Sequence, residues 1–183
     1  GFLQTVRSEL WYLEFRSAST TIQLHVHEMI FTRGFTMSPR EYPERPLVGV
    51  GVVILGSRGV VMIQRGKPPR EGSWSLPGGA QKLGETVNAA ARREAKEETG
   101  LDVEVIGLVD VVDSIRPDET GAIQFHYTLV DVAARVVSGE LTPGGDAMDA
   151  KWVKLETLGS MELWSETVRV IELALEMTEA LPN

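Results

Sequence analysis

A helix whose apolar face turns acidic within one turn constrains this chain more than any other feature. Residues 78–100 read GGAQKLGETVNAAARREAKEETG. This composition predicts a helix from about Thr86, a suitable N-cap, to Thr99, with Gly100 as the residue that ends it. Any fold of the chain has to place both parts of that helix face.

The helical wheel separates the two parts. At 100° per residue, the first half presents a stripe of small apolar residues, Val87, Ala90 and Ala91. One turn later, Glu94 and Glu98 lie on the same side, with Glu97 at its edge and Arg93 beside Glu97 at the i, i+4 spacing. The sequence therefore predicts an inward-facing acidic patch that continues an apolar stripe.

Carboxylates placed together in this way repel one another and are costly to bury. They could be protonated, meet basic residues from elsewhere in the chain, or bind hard cations. Oxygen ligands favour Mg²⁺, Mn²⁺ or Ca²⁺ over zinc or copper. The alternative is a surface helix end with solvated glutamates.

Composition excludes several classes of protein. The 183 residues are enough for one domain, and 43% hydrophobic and 24% charged residues are ordinary for a globular protein. There is no cysteine, which excludes disulfides and thiolate metal sites and fits a cytoplasmic protein. A net charge of -8 argues against non-specific nucleic-acid binding, and no apolar run is long enough to span a membrane.

The order of apolar runs predicts an α/β domain with a mixed sheet and helices on opposite faces. The expected strands cover residues 47–56, 59–66, 101–114, 122–136 and 148–155, and residues 67–79 are expected to be loop. Residues 163–180 predict a second, amphipathic helix with a buried stripe of Trp164, Val168, Ile171 and Leu175.

The first part of the chain differs in character. Residues 1–36 are expected to form an N-terminal extension or β arm, residues 37–46 a proline-rich linker, and residues 47–183 the domain. His25 and His27 share one face of a predicted strand, where a solvated face is favoured over a metal pair because no third ligand is near. A homodimer that exchanges this arm is a further expectation.

The spacing within residues 78–100 resembles the signature of the Nudix hydrolases. Every fixed position is filled, by Gly79, Glu85, Arg93, Glu94, Glu97, Glu98 and Gly100, although Ala95 is smaller than the usual aliphatic residue. The resemblance implies an α/β/α sandwich that uses divalent metal to hydrolyse a nucleoside diphosphate linked to another group.

The resemblance also implies roles for residues of the signature. Glu94, Glu97 and Glu98 would hold Mg²⁺, with Mn²⁺ as a substitute, and the carbonyl of Gly78 would be a further ligand. Glu85 and Arg93 would form a supporting pair that fixes the helix against the preceding loop. Glu94 or Glu98 would orient or deprotonate the attacking water.

In some members of the family the general base lies on a later loop. The acidic residues in the two later loops are Asp118, Glu119, Asp146 and Asp149. Each of the four is also readily explained as a solvated loop carboxylate.

Weaker similarities in three further segments indicate which substrate the chain acts on. RGKPPREGSWSLPGG, FHYTLVD and GGDAMDAKWV resemble segments of bacterial and archaeal ADP-ribose pyrophosphatases, which implies hydrolysis of ADP-ribose to AMP and ribose 5-phosphate. Arg65 and Arg70 are candidate phosphate contacts, and Trp74 either stacks on a base or packs in the core.

Two alternatives to the ADP-ribose interpretation remain. One is a nucleoside triphosphate pyrophosphohydrolase that clears modified nucleotides. The other is a nucleotide-sensing domain without catalysis. In all three cases the expected partner is a small-molecule nucleotide, without nucleic acid or membrane.

Overall fold

The computed structural model describes residues 40–68 and 70–180. The predictions made for residues 1–39, including the N-terminal strand and the histidine pair, lie outside these ranges. The strands are β1 (Leu47–Gly56), β2 (Gly59–Arg65), β3 (Trp74–Ser75), β4 (Gly78–Ala80), β5 (Asp102–Pro117), β6 (Ile123–Ser138) and β7 (Ala147–Val153). The helices are α1 (Val87–Thr99) and α2 (Ser165–Glu179), and a 3₁₀ helix spans Leu155–Ser160.

One mixed sheet contains all seven strands. The strand order is β3-β2-β1-β6-β5, with β4 paired to β1 and β7 paired to β2. The β1 and β6 strands run parallel, and the other pairs are antiparallel. The central strand β1 therefore pairs with β4, which precedes α1, and on its other edge with β6 of the long β5–β6 hairpin.

The two faces of β1 carry separate cores, because alternate side chains of a strand point to opposite faces. Val50, Val52 and Ile54 are almost fully buried against α1, where Ala90 and Ala91 allow the helix to approach the sheet closely. The apolar half of the helix face therefore docks α1, as its sequence predicts.

The opposite face is covered by α2. Val53 of β1 packs in a second cluster with Val170, Ile171 and Ala174. The expected stripe is correct at Ile171, but Trp164, Val168 and Leu175 are only half-buried. The buried residues of α2 are Val170, Ile171 and Ala174, and Trp164 and Leu175 pack against the same cluster while partly buried.

The segment expected to be loop before α1 contains two short strands. Ser75 and Trp74 pair with Ile63 and Gln64 of β2, and Gly78–Ala80 pairs with residues 49–51 of β1. Strands this short carry no periodic pattern, so only their pairing with distant strands defines them.

Neither helix in the described part of the chain is long and apolar enough to cross a membrane.

Candidate active site

Local sequence fixes where α1 begins and ends. The hydroxyl of Thr86 accepts a hydrogen bond from the Ala89 amide at 3.2 Å, which caps the first turn. Gly100 adopts the left-handed conformation with φ 71° and donates its amide to the Lys96 carbonyl. These two caps place the glutamates in the last two turns of the helix.

Arg93 ties α1 to the loop before it. Its guanidinium makes a bidentate ion pair with Glu85, in which Nε lies 2.7 Å from Oε1 and Nη2 lies 2.8 Å from Oε2. Nη2 also donates to the carbonyl of Ala80 in β4. The pairing lowers the pKa of Glu85 to about 2, chiefly through the hydrogen bond from Arg93. The helix, the loop and β4 are thus held together by one side chain.

The three glutamates of α1 differ in their surroundings. Glu94 and Glu98 retain 9% and 6% of their accessible surface, as the wheel predicts for the inward face. Glu97 is exposed and lies 3.2 Å from Arg93 Nη1, which also contacts Glu94. Arg93 therefore supplies a counter-charge inside the acidic patch. The sequence placed Arg93 beside Glu97 and the resemblance paired it with Glu85, but neither gave its contact with Glu94.

Gly79 makes room for Glu94. A Cβ added at this glycine would lie 2.5 Å from Oε1 and 2.8 Å from Oε2 of that carboxylate. Gly78 has φ 154°, and a Cβ there would overlap the carbonyl oxygen of Val50 in β1. Gly79 thus leaves room for the carboxylate, and Gly78 allows β4 to lie close to β1.

Glu98 is held as a buried carboxyl group. Its Oε2 accepts a hydrogen bond from the Gly78 amide at 2.8 Å. Burial raises its pKa to about 7, against the lowering effect of that hydrogen bond, and the nearby charge of Glu94 raises it further. The described side chains therefore do not fully offset the cost of burying the ionised carboxylate of Glu98.

The site opens into a cleft of about 430 Å³ that is lined by residues of α1, α2 and several strands of the sheet. Basic side chains line it from several elements: Arg40, Arg65, Lys67, Arg70, Lys82, Arg93 and Arg116. Arg65 lies close enough to Glu98 to lower the pKa of that carboxyl. The cleft therefore combines buried carboxylates with cations suited to an anionic ligand.

The three residues predicted to bind substrate all line this cleft. Arg65 is half-buried at the end of β2. The guanidinium of Arg70 lies 5.1 Å from the ring centroid of Trp164, with a left-handed backbone at φ 64°. Trp74 is half-buried, with Lys151 Nζ 3.8 Å from its ring centroid, so one face already carries a cation.

Comparisons with known proteins agree with this geometry. The family model of the NUDIX domain matches residues 45–173. An ADP-ribose pyrophosphatase from Methanocaldococcus jannaschii is 35% identical over 123 residues, which are 67% of this chain and 70% of that protein. The chain belongs to the Nudix family.

Two further Nudix proteins show the breadth of the similarity. The crystal structure of an ADP-ribose pyrophosphatase from Streptococcus suis matches with a TM-score of 0.58 at 25% identity, over 75% of this chain and 96% of that one. The 8-oxo-dGDP phosphatase NUDT18 of Mus musculus is 31% identical over 66% of this chain but only 36% of its own length. The predicted α/β Nudix fold is confirmed, and this Nudix hydrolase is an enzyme.

Nudix hydrolases generally use divalent metal ions, and the donor set of this chain fits such an ion. Glu94 and Glu98 supply hard oxygen donors on one helix face. A cation would offset the cost of burying Glu98 in its ionised form. Within residues 40–68 and 70–180, no three acidic, histidine or cysteine side chains are grouped closely enough for one ion. Glu97 is ion-paired with Arg93, which it shares with Glu94, and with Lys82.

The four carboxylates of the later loops are not gathered at the cleft. Asp146 lines it and pairs with Lys67 at 2.5 Å. Asp118 instead closes the β5–β6 turn, where Thr120 and Ala122 donate to its Oδ1 and Tyr42 to its Oδ2. Glu119 on that turn and Asp149 on β7 are exposed and are absent from the described cleft lining. The geometry therefore favours only Asp146 among the four.

Sequence reasoning missed a buried carboxylate in the cleft. Asp131 of β6 retains 6% of its accessible surface. Burial raises its pKa to about 6, and the charge of Asp110 adds to the rise while Arg169 opposes it. The signal was a single charged residue within the apolar run TLVDVAA, at a position where a strand buries both faces.

Proposed function

We propose that this Nudix hydrolase cleaves the pyrophosphate bond of ADP-ribose in the presence of Mg²⁺, giving AMP and ribose 5-phosphate. The observation that carries the proposal is the pair of buried carboxylates, Glu94 and Glu98, facing a cleft with a basic lining. The similarity to the Methanocaldococcus and Streptococcus pyrophosphatases supports ADP-ribose as the substrate.

In this proposal Glu94 and Glu98 hold the metal, and Glu97 contributes after turning from Arg93. The carbonyl of Gly78 is a further donor. A bound Mg²⁺ supplies charge neutralisation of the pyrophosphate and lowers the pKa of a coordinated water. Mg²⁺ usually keeps several of its waters, so a small set of protein carboxylates is sufficient.

Arg93 and Glu85 act as positioning residues. The two-pronged contact between them and the link to Ala80 hold α1 at a fixed distance from β4. Since Gly79 sits directly beneath the Glu94 carboxylate, a small shift of the helix would change the position of that ligand. The pair therefore protects the geometry of the carboxylates rather than contacting substrate.

Cations elsewhere in the cleft receive the phosphates. The positive charge of Arg65 lowers the pKa of Glu98, so Arg65 lies near that carboxyl. Lys82 Nζ lies 3.8 Å from Glu97 Oε1. Arg70 reaches the cleft from the following loop. These charges offset the repulsion between an anionic substrate and the acidic helix end.

Glu98 is the first choice for orienting or deprotonating the attacking water, because its carboxylate is buried, lines the cleft and is held in place by the Gly78 amide. Glu94 is the alternative on the helix. Asp146 is the alternative from the later loop, because it lines the cleft and its charge acts on Glu98.

A second substrate class is favoured by a specific similarity. The mouse relative is named an 8-oxo-dGDP phosphatase, and the match covers most of the described domain. The same carboxylates and cations would serve an oxidised nucleoside diphosphate or triphosphate. The two proposals differ in the base, adenine or 8-oxoguanine, and in whether a second ribose is attached to the pyrophosphate.

The test is product analysis with the full chain and Mg²⁺, offering ADP-ribose, 8-oxo-dGDP, 8-oxo-dGTP and a nucleotide sugar at equal concentrations. We expect AMP and ribose 5-phosphate from ADP-ribose, at the highest kcat/KM of the panel. Glu98→Gln is expected to lower kcat by about 100-fold or more, and Glu140→Gln, on an exposed loop, to leave it unchanged. Faster turnover of the oxidised nucleotides would replace ADP-ribose as the substrate, and an active Glu98→Gln would refute the metal site.

A further inference from the structure

Asp131 occupies a defined place on the floor of the cleft. In the parallel register of β1 and β6 it lies beside Gly51, and Gly51 is in turn paired with Gly78 of β4. The backbones of Asp131 and Gly78 are therefore two strand spacings apart, about 10 Å. Asp131 and Glu98, whose carboxylate accepts a hydrogen bond from Gly78, therefore line the same cleft at separate positions.

Two glycines of β1 open this floor. A Cβ at Gly51 would overlap Oδ1 of Asp131, and a Cβ at Gly49 would approach Cδ2 of Leu129 to 2.7 Å. Both glycines interrupt a strand that is otherwise rich in valine and isoleucine. Their absence of a side chain lets Leu129 and Asp131 lean across β1 and form the bottom of the cleft.

The carboxylate of Asp131 is short of partners for so buried a group. In the part of the chain that the structure describes, no hydrogen bond to its side chain is present, and its 6% exposed surface belongs to a residue of the cleft lining. Arg169, which attracts it, is ion-paired with Asp110 and Glu166 at 2.7 Å each. The carboxylate oxygens of Asp131 are open to the cleft, and they would be stabilised by a ligand that brings an N–H or O–H donor.

The surrounding wall indicates which donor fits. Leu129, Tyr127, Leu76 and Trp164 line the same cleft with apolar and aromatic surface. Such walls suit a flat heteroaromatic ring better than a polyol. A base with an exocyclic amino group combines the flat ring with the donor that Asp131 lacks.

We propose that Asp131 is a specificity-determining residue that accepts a hydrogen bond from the exocyclic amino group of the substrate's adenine base. The inference rests on the proposed function, because it takes the AMP half of ADP-ribose as the group that enters this cleft. Either protonation state of the carboxyl has an oxygen that accepts from the amino group, so the contact does not depend on its ionisation.

The test compares two nucleotides that differ only in this amino group. Calorimetry on the full chain with Mg²⁺ measures the Kd of AMP and of purine riboside 5′-monophosphate, which lacks the 6-amino group. We expect the native chain to bind AMP about tenfold tighter. Asp131→Asn keeps an acceptor oxygen and is expected to keep this ratio, whereas Asp131→Leu and Asp131→Ala are expected to reduce it to about one.

The controls separate this role from a structural one. Ribose 5-phosphate binding is expected to be unchanged in all three variants, and thermal denaturation identifies any variant that fails to fold, leaving the other acceptor-free substitution for the comparison. A native ratio near one, or a ratio that survives both Asp131→Leu and Asp131→Ala, would overturn the assignment. So would weakened ribose 5-phosphate binding with AMP binding intact, because the carboxylate would then contact the sugar.

The same data distinguish failure of the proposed function. If ADP-ribose is not hydrolysed but AMP discrimination still follows Asp131, the base contact stands and the substrate assignment falls. If ADP-ribose is hydrolysed and discrimination ignores Asp131, only the base contact falls. If the native chain neither binds AMP nor hydrolyses ADP-ribose, both are wrong.

Discussion

At the scale of single residues, three glutamates within five positions of one helix have three different environments. Glu98 is buried with a hydrogen bond from a backbone amide, Glu94 is buried against Arg93, and Glu97 is exposed. The helical wheel anticipates which two point inward. It cannot anticipate that the Gly78 amide donates to Glu98, because Gly78 belongs to the preceding strand, whose position relative to the helix depends on tertiary packing.

Gly79→Ala tests how tightly the carboxylates are placed. The new methyl group would lie 2.5–2.8 Å from the Glu94 carboxylate and so displace it. We expect kcat for the preferred substrate to fall by about tenfold or more, in line with the cost of misplacing a catalytic group by a fraction of an ångström. Steady-state kinetics with saturating Mg²⁺ provide the measurement.

Gly159→Ala is the matched control for that substitution, because no heavy atom lies within 4 Å of a Cβ added there. We expect its kinetics to equal those of the native chain. Equal kinetics for Gly79→Ala as well would show that Glu94 tolerates displacement and that its exact position is unimportant.

Asp131 gives a pH prediction with a definite sign. Burial raises its folded pKa to about 6 from an ordinary value of 3.8, so the folded chain holds this proton more tightly than the unfolded chain does. The stability gained from protonation is fully present below pH 4 and is lost as the pH rises through 6. At higher pH the buried charge destabilises the fold.

Asp131→Asn removes that charge and is expected to stabilise the chain at pH 8, by up to about 3 kcal/mol from the 1.36 kcal/mol per pKa unit. The gain should be small near pH 4, where the folded chain holds Asp131 in its protonated form. Urea denaturation at pH 4, 6 and 8 measures the difference. A gain that is independent of pH would show that the carboxyl group is not the cause.

At the scale of elements, what the sequence could predict depends on whether the signal is local. The caps of α1 and the turn between β1 and β2 are set by adjacent residues, and their bounds agree with the structure. The strands β3 and β4 have only two and three residues and exist through pairing with β2 and β1. Asp118 remained one of four candidate bases for the same reason, since its place in a closed turn depends partly on Tyr42, which lies outside its own loop.

The capping of α1 gives a prediction about this element. Thr86→Ala removes the acceptor of the Ala89 amide and is expected to cost about 1 kcal/mol of unfolding free energy. Asn88→Ala is the control, because Asn88 is an exposed residue of the same helix and alanine is the better helix former. Chemical denaturation should show a loss for the first variant only. Equal stability of both would mean that the Thr86 cap contributes little.

At the scale of the whole molecule, β1 brings distant parts of the chain to one site. Its register with β4 fixes Gly78 beneath Glu98, and its register with β6 fixes Asp131 beside Gly51. The Nudix signature covers only the first of these pairings, which explains why sequence reasoning found the carboxylates of α1 but not Asp131. A cleft shared by several strands is a property of the sheet, and no single segment of sequence encodes it.

Binding of the metal should therefore be measurable as stability of the entire domain. A cation held by Glu94 and Glu98 binds the folded chain, in which α1 and β4 are docked, and at 100 times its Kd contributes about 2.7 kcal/mol. For a domain of this size that corresponds to a rise in Tm of about 5–10 °C. We expect Mg²⁺ to produce this shift in the native chain and in Glu140→Gln, EDTA to reverse it, and Glu98→Gln to abolish it. A full shift in Glu98→Gln would place the cation elsewhere on the molecule, because each variant loses one carboxylate and only that of Glu98 is buried at the cleft.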